Sequence, residues 1–323
     1  MNHYTHLTIE ERESTRSLLE QGFSFRAIAL KLKRSPSTIS REWHRNRYAN
    51  GSYAAHHAEK LYLKRLLHCG KTPKLADLTI RQYVLERIEW RWTPEQIAER
   101  AKLEQQPFSL SFVTIYRAID SGVLPKRIRK IMRFKRKNKK RKDTDKRGKI
   151  QDTVSIHDRP AAVESRLEPG NWESDTVLGK RQTGCFGTHV ERTTGMLIAF
   201  YLPDRKDDVF TQATVKAFEN LPPAFKKSFT VDNGKEFSQH QKLTAETGMN
   251  VYFCDPYSPW QRGTNENTNG LLRQFYPKGT SLTHVTDEQL LHTIYLINNR
   301  PRKRFGFKTP VEMWDLFLPM CCT

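Results

Sequence analysis

Three carboxylates stand where metal-assisted chemistry on phosphate would need them. Val231-Asp232-Asn233-Gly234 reads as the end of a buried strand tipping into a turn. Asp232 therefore sits at a strand's carboxyl edge, where active sites of open α/β sheets gather. Farther on, Gly263 opens a polar helix carrying Glu266, and Arg273 follows on the same face. Upstream, after a turn at Pro169-Gly170, Asn171 to Val177 alternates as a strand, with Asp175 in mid-strand and Glu173 on its face. Such oxygen ligands suit Mg²⁺, which takes one or two carboxylates plus phosphate and keeps several waters. Two such ions, about 4 Å apart, stabilise the attacking and leaving oxygens of a phosphodiester displacement.

Each of these residues also has an ordinary reading. Asp232 alone fits turn chemistry, and Glu266 alone fits a helix-start carboxylate favoured by the dipole. Asp175 is harder to dismiss, because Asp is depleted from strands and costly to bury unpaired. Glu173 is either a support behind Asp175 or a surface charge. Arg273 either faces substrate phosphate or pairs with Glu266. Trp260, Gln261 and Arg262 suit the wall of a DNA path, with a core position as the alternative for Trp260.

The elements that would position these groups alternate through the carboxyl half. After the Asp175 strand come β-rich runs at 188–192 and 196–202, joined by a Thr193-Thr194-Gly195 turn. A helix over 207–221, a strand over 229–232, a helix over 240–247 and a strand over 251–254 follow. The order is three strands, then helix, strand, helix, strand, helix.

The amino-terminal part reads as helices that recognise DNA. Thr8 to Glu11 is a capping-box start with Gly22 as stop, Ser24 caps a helix over 25–32, and Ser35-Pro36 opens a third. On that third helix Ile39 and Trp43 anchor inward. Ser37, Thr38, Ser40, Arg41, His44 and Arg45 are left outward as a recognition helix for a major groove. A second unit follows over 51–125, with a capping box at Thr93 to Gln96. Its last helix starts at Ser111, with Phe112, Ile115 and Ile119 inward and Thr114, Tyr116 and Arg117 outward. That unit serves either DNA contact or dimer contact. Between 126 and 149 there are fifteen Lys or Arg against two Asp, so +13 of the total +20 falls in one run. It reads as a linker over 126–150 that lies along phosphates and divides the DNA-reading part from the chemical domain, 151–323.

With 323 residues, net charge +20 and pI near 9.8, the chain has room for two or three domains and points to an anionic polymer as partner. Five scattered cysteines show no paired framework, which suits a reduced cytosol. No apolar window is long enough to span a membrane, and no signal-peptide h-region begins the chain, so a cytoplasmic, nucleoid-associated protein is expected. His56-His57 with Cys69 lacks zinc spacing, as does Cys321-Cys322. There is no P-loop and hence no expected nucleotide, and no covalent nucleophile with a base stands out.

The strand, strand, helix order of Asp175, Asp232 and Glu266, with DNGKEF and SPWQRGTNENTNGLLRQFYPKG, resembles the D-D-E catalytic domain of bacterial transposases and retroviral integrases. The literal agreement, extended by VSIHDRP, LPDRK and NNRPRKRFGFKTP, is closest to the insertion-sequence-thirty family. The zinc module of retroviral integrases is absent. The resemblance implies a multidomain protein: an all-α helix-turn-helix region followed by an α/β ribonuclease-H-like catalytic domain whose first and fourth strands are neighbours. It implies that Asp175, Asp232 and Glu266 hold two Mg²⁺ ions, with Mn²⁺ able to substitute, and cleave and transfer DNA strands at terminal inverted repeats. It further implies a homo-oligomer, at least a dimer, that pairs two element ends on target DNA. The competing readings are a DNA-binding regulator with an inactive ribonuclease-H-like domain and a nuclease that stops at hydrolysis.

Overall fold

The computed structural model describes residues 5–68, 72–125, 127–131, 150–181 and 183–318. Most of the basic run at 126–149, Cys69, Cys321, Cys322 and the tail 319–323 lie outside them. The chain divides into two compact units, Met1–Pro73 and Lys74–Thr323.

The first unit holds α1 (Ile9–Glu20), α2 (Phe25–Lys31), α3 (Pro36–Asn46) and α4 (Ala55–His68). The expected caps form: Thr8 and Glu11 close a capping box, Ser24 accepts from Ala27 N–H, and Pro36 is the first residue of α3. Leu7, Ile28, Ala29 and Ile39 make a small core. Buried Arg12 ties the helices together, donating to Glu42 at 2.8 Å, to the Leu7 carbonyl at 2.8 Å and to Glu59 on α4. Helix α4, expected within 51–125, thus packs on α1 and α3, because Arg12 needs the Glu59 carboxylate.

The second unit begins with α5 (Leu78–Glu89), α6 (Pro94–Leu103), α7 (Phe112–Asp120) and the short α8 (Ile128–Ile131). Val84, Ile88, Ile97, Ile115 and Ile119 are in its core. Phe112, expected inward, is 45% exposed. Helix α7 carries more apolar residues than one face can bury, and packing selects Ile115, Ala118 and Ile119.

A six-stranded sheet follows in the order β1 (Val154–Ser155), β6 (Asn250–Phe253), β5 (Ser228–Val231), β2 (Asn171–Leu178), β3 (Cys185–Glu191), β4 (Leu197–Leu202). Strands β1, β6, β5 and β2 are parallel, and β2, β3 and β4 form the antiparallel meander. The meander's first strand does neighbour the fourth strand read from the sequence, here β5. Strand β1, only two residues long, gave no periodic signal. After the short α9 (Ala162–Ser165), helices α10 (Asp207–Phe218), α11 (His240–Thr247) and α14 (Pro310–Phe317) supply one core, in which Trp172, Phe218, Phe225, Phe229 and Trp314 pack together. Helices α12 (Gly263–Leu272) and α13 (Asp287–Asn298) supply the other, through Leu271, Leu272, Leu290 and Ile297.

The α5–α7 set docks on this sheet domain. Arg100 grips Glu312 with two bonds of 2.7 and 2.6 Å, Gln96 donates to the Pro301 carbonyl at 2.7 Å, and Lys303 meets Glu95 at 2.6 Å. Among the described residues no helix is long and apolar enough to cross a membrane.

Candidate active site

Strands β2 and β5 pair Asn171 with Ser228, Trp172 with Phe229 and Glu173 with Thr230. Continued past the last pair, the same register sets Asp175 beside Asp232, which follows the final residue of β5. Adjacent strands lie about 4.8 Å apart, so the two carboxylates are neighbours across one strand spacing. Arg262 spans them: its guanidinium donates to Asp232 Oδ2 at 3.0 Å and lies 3.5 Å from Asp175 Oδ1. It is anchored by a 2.8 Å bond to the Ser174 carbonyl. Burial pushes the Asp175 carboxyl above its usual range; Arg262 opposes the shift and the charge of Asp232 adds to it.

The remaining oxygens are tied down locally. Asp175 Oδ1 accepts from Thr176 N–H at 2.8 Å, and Oδ2 accepts from Asn269 Nδ2 at 3.1 Å. Asp232 Oδ1 accepts from Gly234 N–H at 2.9 Å, so Asp232 serves both the turn and the site. A Cβ on Gly234 would lie 2.5 Å from Glu236 Oε2 and 2.8 Å from Asp232 Oδ1, so the turn has room for glycine alone. Buried Glu236 is itself fixed by Arg205, at 2.5 and 2.7 Å, and by Thr176 Oγ1 at 2.8 Å. That pair gives DNGKEF and LPDRK a shared structural role.

Helix α12 has no capping side chain at Arg262. Its cap comes from β2, where Glu173 Oε2 accepts from Asn265 N–H at 2.8 Å and brings negative charge to the helix start. Glu173 is fully buried and binds Arg192 at 2.7 Å, which overturns the surface-charge reading. Asn265 Nδ2 donates back to the Glu173 carbonyl at 2.7 Å. The strand that carries Asp175 therefore also fixes the helix that carries Glu266.

Glu266 is exposed on α12. It lies on the helix stripe of Arg262, Asn269 and Arg273, between two residues that reach Asp175. Among the described residues no three His, Cys, Asp or Glu come together closely enough to hold a metal ion, so Glu266 does not converge with the two aspartates. Asn269 Oδ1 and Arg262 Nε, both buried here, lack hydrogen-bond partners. Arg273 makes no pair with Glu266; it donates to the Leu178 carbonyl at 2.7 Å and pins the end of α12 to the end of β2. Trp260, 72% exposed, is no core residue, and Tyr257 beside it is 69% exposed. In VSIHDRP, His157 meets Asp255 at 3.0 Å and Arg159 donates to Thr230 Oγ1 at 2.8 Å, holding the edge of the sheet.

On α3, Ser37, Arg41, His44 and Arg45 are exposed, and Thr38 and Ser40 are half-buried. Arg41 folds back on Ser37, 3.1 Å from its hydroxyl. On α7, Arg117 is exposed and Thr114 is half-buried against Ser111, at 2.9 Å. The sequence reading missed the clamp of Arg262 on both aspartates, the hold of Asn269 on Asp175 and the cap that Glu173 gives α12. The one signal for them was the spacing of Arg262, Glu266, Asn269 and Arg273 on a single helix stripe.

A family model described as "Helix-turn-helix domain" matches residues 3–46, and one described as "Integrase core domain" matches residues 166–259, ending before Glu266. The chain is 37% identical over 319 residues to the transposase for insertion sequence element IS1086 of Cupriavidus metallidurans, covering 96% of this chain and 94% of that one. It is 40% identical over 323 residues to transposase InsI for insertion sequence element IS30C of Escherichia coli, covering 95% and 83%. Among solved structures, a chain of the simian T-cell lymphotropic virus intasome in complex with the PP2A regulatory subunit B56 gamma matches at TM-score 0.38 and 19% identity, covering 46% of this chain and 55% of that one.

Proposed function

This chain belongs to the IS30 family of insertion-sequence transposases, DNA-binding enzymes with an integrase-type core, and we propose that Asp175, Asp232 and Glu266 are the carboxylates with which it cuts and rejoins DNA. The register of β2 on β5 carries this reading, because it brings two aspartates side by side under one guanidinium. Hard carboxylate oxygens, with the unpaired Asn269 Oδ1 beside them, fit Mg²⁺, for which Mn²⁺ can substitute. A pair of such ions, when bound, supplies charge neutralisation at the attacking and leaving oxygens.

The chain's own groups do the rest by positioning. Asp175 and Asp232 would hold the cations, and their own carboxylates are held by Thr176, Asn269 and Gly234. Glu266 would complete the set from α12, a helix whose start Glu173 caps. Arg262 clamps the two aspartates and would supply positive charge for the scissile phosphate beside them. Water attacks one phosphodiester at the element end and leaves a 3′-hydroxyl. That hydroxyl then attacks the phosphorus of a second DNA phosphodiester in the same site and expels that strand's 3′-oxygen, which leaves as a hydroxyl, so one phosphodiester is exchanged for another and neither ATP nor a covalent enzyme intermediate is required.

Recognition of the terminal inverted repeats falls to Ser37, Thr38, Ser40, Arg41, His44 and Arg45, with Thr114 and Arg117 as further DNA contacts and Arg273 at the substrate phosphate. Two element ends are paired by a homo-oligomer. The test is cleavage of a labelled element end by wild type, Asp175→Asn and Asp232→Asn with Mg²⁺. Both variants should bind the end and leave it uncut; a variant that cuts at the wild-type rate sinks the assignment.

A further inference from the structure

Helix α12 cannot set its own position. Two Gly, two Thr and three Asn fill seven of its ten places, all weak helix formers, and a helix this short is marginal alone. Outside contacts must therefore fix where it lies and which face it turns to the aspartates. The sheet holds its start through Glu173 and Asn265, and its end through Arg273. A further hold comes from outside the sheet, at Gln274, the next residue along.

Arg300, from NNRPRKRFGFKTP just after α13, is 2% exposed. Its Nη1 donates to Gln274 Oε1 at 2.9 Å, and its Nε donates to Gln96 Oε1 of α6 at 3.1 Å. A guanidinium only donates, so both amides must turn their oxygens to it. Gln274 does so with its Nε2 buried and without a hydrogen-bond partner, a cost that space-filling alone does not explain. Gln96 is itself fixed from two sides: its Oε1 also accepts from Thr93 N–H at 2.8 Å, and its Nε2 donates to the Pro301 carbonyl at 2.7 Å. Arg91, in the turn between α5 and α6, lies over the Phe275 ring at 5.4 Å. The helical set thus grips both residues that follow Arg273.

We propose that Gln96, Arg300 and Gln274 are positioning residues for strand cutting: they make α6 a brace for α12 and so keep the helix that carries Glu266 in phase with Asp175 and Asp232. Gln274 follows Glu266 by eight residues, about 12 Å of helix, so it acts on the site only through α12. The inference rests on Glu266 belonging to the cutting set. Misplacing a reacting group by about 1 Å costs about 100-fold in rate, so a brace of this kind is felt in the rate of cutting and not in the binding of the end.

Gln274→Met keeps the length of the side chain and removes the acceptor, while Gln274→Glu keeps the acceptor and does away with the unpartnered Nε2. Single-turnover cutting of a labelled element end by the full chain with Mg²⁺ separates rate from end affinity. At saturating DNA, Gln274→Met should cut about tenfold more slowly or worse with unchanged affinity for the end, and Gln274→Glu should stay within about twofold of wild type. Gln96→Met should slow cutting as well, and Gln96→Met/Gln274→Met should be no slower than the slower single variant, because both break one chain of contacts. Thr93→Ala, which loses the cap on Gln96 N–H and leaves Gln96 on Arg300, is the control for a weakened α6. Hydrogen exchange over 263–275 follows α12 without reference to activity, and should be faster in Gln274→Met and unchanged in Thr93→Ala. Equal cutting by Gln274→Met and Gln274→Glu, multiplied effects in the double variant, or exchange in Gln274→Met like that of wild type overturns the proposal. If Glu266→Gln cuts like wild type while Gln274→Met exchanges faster, the Glu266 reading fails and takes the catalytic part of this inference with it. If Glu266→Gln is inactive while Gln274→Met cuts and exchanges like wild type, the brace alone fails.

Discussion

Replacing Arg262 with Gln should destabilise the metal-free protein and sharpen its response to divalent cations. The guanidinium is only 12% exposed and is the shared counter-charge of Asp175 and Asp232, which are 29% and 35% exposed. Breaking a buried ion pair from one side costs about 3–5 kcal/mol. With both aspartates about a third open to water, screening reduces this to about 2 kcal/mol. For a unit of this size that corresponds to a Tm lower by about 4–8 °C. The assay is thermal unfolding without DNA, first in EDTA and then with Mg²⁺ or Mn²⁺. In EDTA the variant should melt below wild type. Added cation should raise the variant more, because in wild type it must first displace the guanidinium. Equal melting in EDTA, or equal stabilisation by cation, would refute the reasoning that Arg262 is the shared counter-charge of the two aspartates.

Burial holds the His189 imidazole down to about 3, between Ser174 and Thr214. Below about 6.5 the unfolded chain binds a proton that the native site refuses, so stability falls as pH falls, by about 1.4 kcal/mol per pH unit. Urea unfolding of wild type and His189→Gln at pH 6.5 and pH 5 should therefore show their difference shift by about 2 kcal/mol against wild type; a constant difference contradicts it. Gly234→Ala drives a methyl into Glu236 and Asp232, so strand cleavage should fall while binding of an element end by gel shift is kept. The Arg100–Glu312 fork, with its glutamate 39% exposed, should show a coupling of about 1 kcal/mol in a double-mutant cycle of unfolding, and no coupling would mean that α6 docks through other contacts.

Local signals were legible in the sequence because local chemistry decides them. The boxes at Thr8 and Thr93, Pro36 at the start of α3, and the end of β5 before Asp232 all depend on residues within one turn. What could not be read depends on partners far away in the chain. Gln96 and Arg100 find Pro301 and Glu312 roughly two hundred residues on, so α6 docks on the catalytic domain, a contact that no pattern within 51–125 encodes. Glu173 looks like an ordinary alternate residue of β2 until α12 lands on it. The outward turn of Phe112 was lost because α7 is apolar on too many sides for periodicity to select a face. Glu266 was legible as a residue of the helix stripe that also carries Arg262 and Asn269. Its distance from the aspartates was not, since helix phase sets the face and leaves the rotamer open.

The most direct test of the central claim is strand transfer by purified protein with Mg²⁺ and a labelled element end, comparing wild type with Glu266→Gln. The substitution keeps size and removes charge at a solvent-exposed position, so folding and end binding should be unchanged. Wild type should nick and join, and the variant should bind and do neither. A variant that nicks and joins like wild type would show that Glu266 is no part of the catalytic set.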